Sequence, residues 1–136
     1  MLQSAQSTHA LVAADLCGDV FDSLPVPVLD AQARIAEFGG DTEGYDEVAE
    51  MVLFEGDAML RSLRDGPAAG HVALAAVLHE VANNCAMVGA ARCALLTRAV
   101  ELKLRKSMPI DVLSAVQAIE TELTLMLQAL SCRRAT

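Results

Sequence analysis

Apolar residues recur every three or four positions along most of the chain, and nowhere do they alternate in the two-residue rhythm of a half-buried strand. Over residues 9–24, Leu11, Val12, Leu16 and Val20 fall at helical spacing. Pro25-Val26-Pro27 must then be extended, because each proline restricts the backbone before it. A short helix follows, with Asp30 as its N-cap, Ile35, Ala36 and Phe38 as its apolar residues, and Gly39-Gly40 as its stop. Asp41 or Thr42 caps a longer helix carrying Tyr45, Val48, Met51, Val52, Phe54, Met59, Leu60 and Leu63, with Gly56 weakening its middle. Arg64-Asp65-Gly66-Pro67 is expected to close that helix, and Gly70 to mark the turn.

Three more helices are predicted. One covers residues 71–88 and ends at Gly89. The next covers 91–106, with Leu95, Leu96, Val100, Leu102 and Leu104 as its apolar set. The last begins near Pro109, a residue suited to a first helical turn, and holds Val112, Leu113, Val116, Ile119, Leu123, Leu125, Met126, Leu127 and Leu130. Four substantial helices joined by short loops predict an all-α fold, an antiparallel four-helix bundle with one or two extra short N-terminal helices. Residues 1–28 are assigned to an N-terminal helix or linker and 29–132 to the bundle.

Composition agrees with that pattern. Of the 136 residues, 54% are hydrophobic but only 3% aromatic, so Ala, Leu, Val and Met do the packing. Such residues favour helix interfaces over a sandwich of β-branched and aromatic strands. Mean hydropathy is high, at +0.38, yet no apolar run reaches the roughly 18 residues of a membrane span. The N-terminus lacks the basic region of a signal peptide. A cytoplasmic domain without direct membrane insertion is therefore expected. A net charge of −8 argues against nucleic acid as a partner. The one basic cluster, Lys103-Leu104-Arg105-Lys106, sits at an expected helix end, where cations complement the helix dipole. Cys17, Cys85, Cys93 and Cys132 have no CxxC spacing and read as small hydrophobes. No second histidine follows His79 at the HExxH spacing, so no metal site is expected.

The stretch LHEVANNCAMVGA, residues 78–90, stands out. With about 100° per residue, Leu74, Val77, Leu78, Val81, Cys85 and Val88 form one buried stripe. His79 lies roughly 140° from Leu74 and faces outward. Its helical neighbours are Ala75, Ala76, Ala82 and Asn83, with Ala86 and Ala90 beyond. Alanine is the best helix former, and this chain is rich in it throughout. The same run of small side chains would also let a partner approach the imidazole, which suits a nucleophilic nitrogen near neutral pH. His9 and His71 are weaker candidates, one near the terminus and one at a turn. Glu80, about 100° around the helix from His79, reads as a solvated charge.

These residues resemble the histidine-containing phosphotransfer (HPt) domain of bacterial two-component phosphorelays. Gly89 stands ten residues after His79, followed by Ala90, as in that family. Upstream, RIAEFGGDTEGYDEVAEMVLFEGDAMLRSLRDG is similar to the family's helix, GGD turn and long helix with a central Phe. The similarity covers about residues 29–130. Ala82 stands where the family has Lys, Asn83 where it has Gly, and Asn84-Cys85 where it has Ser-Ala.

The resemblance implies a phosphorelay intermediate without kinase activity of its own, with His79 as phosphoacceptor. Ala75, Ala82, Asn83, Ala86 and Gly89 would border partner docking, near Phe54 or Met51. The expected partners are response-regulator receiver domains, or a hybrid sensor kinase of which the chain would be a segment. No cofactor is expected on this chain; the Mg²⁺ would sit on the receiver. Two other readings stand beside it. HEVAN also looks like the His-Glu-x-x-Asn segment of a histidine kinase dimerisation helix, although no Asn-box or Gly-rich nucleotide loop accompanies it. A helical adaptor in which His79 is incidental is the other.

Overall fold

The computed structural model describes residues 26–135, so the helix expected at 9–24 lies outside the described residues. Those residues form five helices and no strand: α1 (Ala31–Glu37), α2 (Thr42–Ala69), α3 (His71–Met87), α4 (Ala91–Arg105) and α5 (Val112–Ala135). The all-α expectation holds. Helix α2 packs on α3 and α5, and α4 packs on the same two helices, so the four longer helices share one core. Leu63, Leu74, Leu78, Leu96, Ile119, Leu123, Met126 and Leu130 are its largest aliphatic members.

Local signals set most of the helix starts. The Asp30 carboxylate accepts from the Ala33 N–H at 3.0 Å, and Asp41 accepts from the Gly44 N–H at 2.9 Å, each satisfying a donor that a first turn leaves orphaned. At α5 the cap is Asp111, which accepts from the Ser114 N–H at 3.2 Å and from its hydroxyl at 2.8 Å. Pro109 therefore lies ahead of the helix instead of in its first turn.

Helix α2 does not stop at Gly66-Pro67. It runs on to Ala69, with Pro67 inside it, and breaks at Gly70, whose φ of +98° is left-handed. Proline there forgoes one hydrogen bond to the preceding turn. Tertiary packing offsets the loss: Gly66 is buried, and a Cβ on it would lie 2.6 Å from Leu74 Cδ1 of α3. Gly56 has a similar reason to be small, since Leu127 of α5 would stand 3.0 Å from its Cβ.

The end of α3 is tied down by the preceding elements. The Tyr45 hydroxyl donates to the Val88 carbonyl at 2.7 Å, Arg34 Nε to the Met87 carbonyl at 3.2 Å, and the Asp30 N–H to the Gly89 carbonyl at 2.9 Å. These bonds occupy acceptors that a helix C-terminus cannot satisfy by itself. Gly89 has φ +84°, and a Cβ on it would sit 2.4 Å from the Asp30 carbonyl oxygen. The glycine ten residues after His79 thus does two jobs: it ends α3 and admits the backbone of the α1 cap.

The helical faces differ in part from the expected ones. Tyr45, Val52, Met59 and Leu63 of α2 are buried as expected, but Phe54 is 89% exposed and Met51 63%. In α4, Leu95 and Leu102 face solvent, and the inward stripe is Cys93, Leu96, Thr97, Val100, Glu101 and Leu104. In α5, Leu113 and Leu125 are exposed, while Glu122 is fully buried beside Arg92, whose Nη2 stands 2.8 Å from its Oε1. Cys85 and Cys93 are buried free thiols. A hydrogen bond with Cys93, followed by burial, raises the pKa of Cys85 far above the usual thiol range, which leaves it protonated and inert. No helix among the described residues is long and apolar enough to cross a membrane.

Candidate functional site

His79 projects from the middle of α3 with its side chain 59% exposed. Leu74, Leu78, Val81, Cys85 and Val88 are buried behind it, and Val77 is partly buried against the same core. The α3 wheel therefore places the imidazole on the outer face, as its period requires.

The ring is not a free surface group. Its Nδ1 lies 3.1 Å from Glu101 Oε2 on the neighbouring helix α4. A carboxylate oxygen can only accept, so the nitrogen facing it carries the proton. The neutral ring then keeps its lone pair on Nε2, the atom remote from Glu101. Glu101 is itself nearly buried, its side chain 11% exposed, and the same Oε2 accepts from Arg105 Nε at 2.8 Å. Histidine, carboxylate and guanidinium form a chain centred on one oxygen atom.

Sequence reasoning missed Glu101, although one signal pointed to it. The stripe Cys93, Thr97, Val100 and Leu104 calls for an apolar residue at position 101, and a carboxylate stands there instead. With Leu95 and Leu102 counted into the apolar set, the inward face of α4 stays undecided and Glu101 draws no notice. In the sequence Arg105 reads as part of the basic helix end, where the dipole alone accounts for a cation. It does lie in the last turn of α4, but its recorded bond is to Glu101.

The other residues expected around the ring divide into two groups. Asn83 is exposed, Ala86 half-buried and Gly89 half-buried at the helix end. Ala75 and Ala82 are 2% and 1% exposed. The packing of α3 on its neighbours covers them, so they lie beneath the face that a partner would touch. Their small size brings the helices together; it does not clear the surface. The accessible small neighbour is Ala76.

One turn from His79, Asn83 also borders a groove of about 310 Å³ between α2 and α3, together with Met51, Glu55 and Glu80. Glu80 is exposed there, consistent with a solvated charge. Phe54 and Met51 line an adjoining hollow rimmed by Glu47, Glu50 and Glu55. Apolar side chains ringed by carboxylates thus lie along α2, beside the groove that Asn83 borders.

Among the described residues, no group of three or more His, Cys, Asp or Glu is placed to hold a metal ion. Comparison with known proteins finds no protein-family model, no curated protein and no solved structure that matches the chain.

Proposed function

We propose that this chain is a histidine phosphotransfer module, an antiparallel four-helix bundle that accepts a phosphoryl group on His79 and passes it to a second acceptor. The observation that carries the reading is the ring's geometry: Nδ1 is held by the Glu101 carboxylate at 3.1 Å, while more than half of the side chain is open to solvent. A nucleophilic histidine needs that arrangement, a fixed tautomer with the lone pair directed outward.

The reaction follows from the atoms present. Nε2 attacks the phosphorus of an aspartyl phosphate on a receiver domain, the N–P bond forms, and the P–O bond breaks with its electron pair leaving on the aspartate. The imidazole gains positive character as it does so, and Glu101, holding the Nδ1 proton, stabilises it. Transfer onward reverses the same bonds toward another aspartate. Phosphoryl transfer asks mainly for positioning and charge stabilisation. The receiver would bring Mg²⁺ and most of the charge stabilisation, and this chain the oriented nucleophile. A cytoplasmic setting follows from such partners.

A degenerate module that binds a partner without accepting phosphate has one observation in its favour: the large exposed Phe54 beside the α2–α3 groove. The kinase-helix reading would need Glu80 as the base next to His79, whereas Glu80 lines the groove toward α2 and Glu101 holds the ring.

Incubation with phosphoramidate, and separately with phosphorylated receiver domains, tests the proposal. An acid-labile, base-stable label that disappears in His79→Gln is the expected result. No label from either donor sinks it in favour of the binding module.

A further inference from the structure

Glu101 creates a difficulty that the rest of the site has to solve. It orients the ring, yet it also sets a nearly buried carboxylate against Nδ1 of the same imidazole whose Nε2 an anionic phosphoryl group must approach. The chain as a whole adds to the repulsion, with a net charge of −8. A lysine at position 82 would offset this charge, but that position holds a buried alanine.

We infer that Arg105 is the cation that receives phosphoryl oxygens at His79, so that Glu101 and Arg105 act together as a positioning pair and an anion clamp. Arg105 is one turn beyond Glu101 on α4, and its Nε donates to the very oxygen that holds His79 Nδ1. That bond offsets the carboxylate's charge beside the ring. It also anchors a side chain that is still 52% exposed, and a guanidinium has further N–H donors in a planar fork suited to phosphate oxygens. The inference deepens the phosphotransfer reading and rests on it for the chemistry, but anion binding beside the ring can be measured without any transfer.

Inorganic phosphate is the probe, titrated into the whole protein while the His79 ring resonances are followed by NMR. Wild-type protein should show a saturable shift. Arg105→Gln should weaken phosphate binding roughly tenfold, the scale of one lost charge-assisted hydrogen bond, and Arg105→Lys should recover part of it. Arg98→Gln, which removes the same charge from an exposed position on the same helix, should leave binding unchanged. The His79 tautomer should be the same in all four proteins, which separates a clamp from a merely structural role.

Labelling by phosphoramidate runs in parallel. There the P–N bond breaks, ammonia leaves with its electron pair, and the new N–P bond forms at Nε2. Slower labelling in Arg105→Gln with normal labelling in Arg98→Gln supports the inference. Unchanged phosphate affinity in Arg105→Gln overturns it, as does an equal loss in Arg98→Gln. Arg105-dependent phosphate binding with no label on wild type sustains the clamp and sinks the transfer reading.

Discussion

Helix α4 supplies a residue to each of two acid–base contacts of opposite character. At its start, Arg92 meets Glu122 of α5 in the interior, where the glutamate is fully buried. Near its end, Glu101 meets Arg105 and His79 at the rim, with both of its partners more than half exposed. The chemistry is alike, and burial decides what each contact does. A carboxylate shut away from water depends on its cation, so the interior pair is a structural commitment between α4 and α5. At the rim, water reaches the imidazole and the guanidinium, and the pair contributes less to folding. Its geometry is free to serve the ring.

Breaking the interior pair should have the largest effect on stability. Arg92→Ala leaves the buried Glu122 without its cation at 2.8 Å, and the expected cost is about 3 kcal/mol, the lower end for a buried pair because Arg92 is partly exposed. Urea denaturation measures it. Replacing both partners, Arg92→Leu with Glu122→Leu, should return most of that loss, because the desolvation of two charges disappears with them. A double variant no better than Arg92→Ala would show that the pair is more than a tolerated polar contact.

Gly89→Ala tests the scaffold that holds α3. The new Cβ would meet both a left-handed φ of +84° and the Asp30 carbonyl at 2.4 Å. About 2 kcal/mol of destabilisation is expected, from backbone strain and the displaced α1 cap. The His79–Glu101 contact lies more than two turns away along α3, so the ring's NMR tautomer should be unchanged in the folded variant. A ring that changes would mean that the interior and the rim are coupled.

The features that local chemistry determines were readable from the chain. Asp30 and Asp41 cap because their carboxylates reach N–H groups three residues on, and Gly89 ends α3 because few residues accept its backbone. The outward placement of His79 followed from helical period alone. What was missed depends on a neighbour that no local pattern contains. Gly66-Pro67 reads as a stop until Leu74 of α3 is seen to pack on the glycine. In α4, five apolar residues at 95, 96, 100, 102 and 104 fit more than one helical face, and only packing chooses the face that includes Glu101. Ala75 and Ala82 are small in either reading, so the sequence could not say whether they clear a surface or close a core.

Tyr45→Phe should cost less than Gly89→Ala. It removes the hydroxyl that donates to the Val88 carbonyl at 2.7 Å, and the expected loss is about 1 kcal/mol. The pH dependence has a definite sign. Burial raises the pKa of Tyr45 above the ordinary 10.0, with Arg133 partly opposing the shift. The folded state therefore holds that proton more tightly than the unfolded chain does. The contribution is complete below pH 10.0 and is lost as the pH rises toward the folded value. The variant should lack this part of the alkaline decline, and a denaturation series at rising pH would show it.

The smallest change in stability should come from Glu101→Gln, and it is the sharpest test of the rim. The amide oxygen can still accept from His79 Nδ1 and from Arg105 Nε, so the fold and the tautomer should survive with a loss of about 0.5 kcal/mol or less, as for other ion pairs at the surface. The negative charge that would steady a developing imidazolium is gone, however. Phosphoramidate labelling should slow by about tenfold, less than the loss of a group that itself transfers the proton. Glu101→Leu should slow it further and release the ring, which the ¹⁵N shifts of Nδ1 and Nε2 would report as a mixture of tautomers. Arg92→Ala reverses this order: it loses stability and, while folded, labels at the wild-type rate. If Glu101→Gln labels as fast as wild type while its tautomer is intact, the carboxylate's charge has no part in the transfer. The rim contact would then be an ordinary surface pair that happens to touch a histidine.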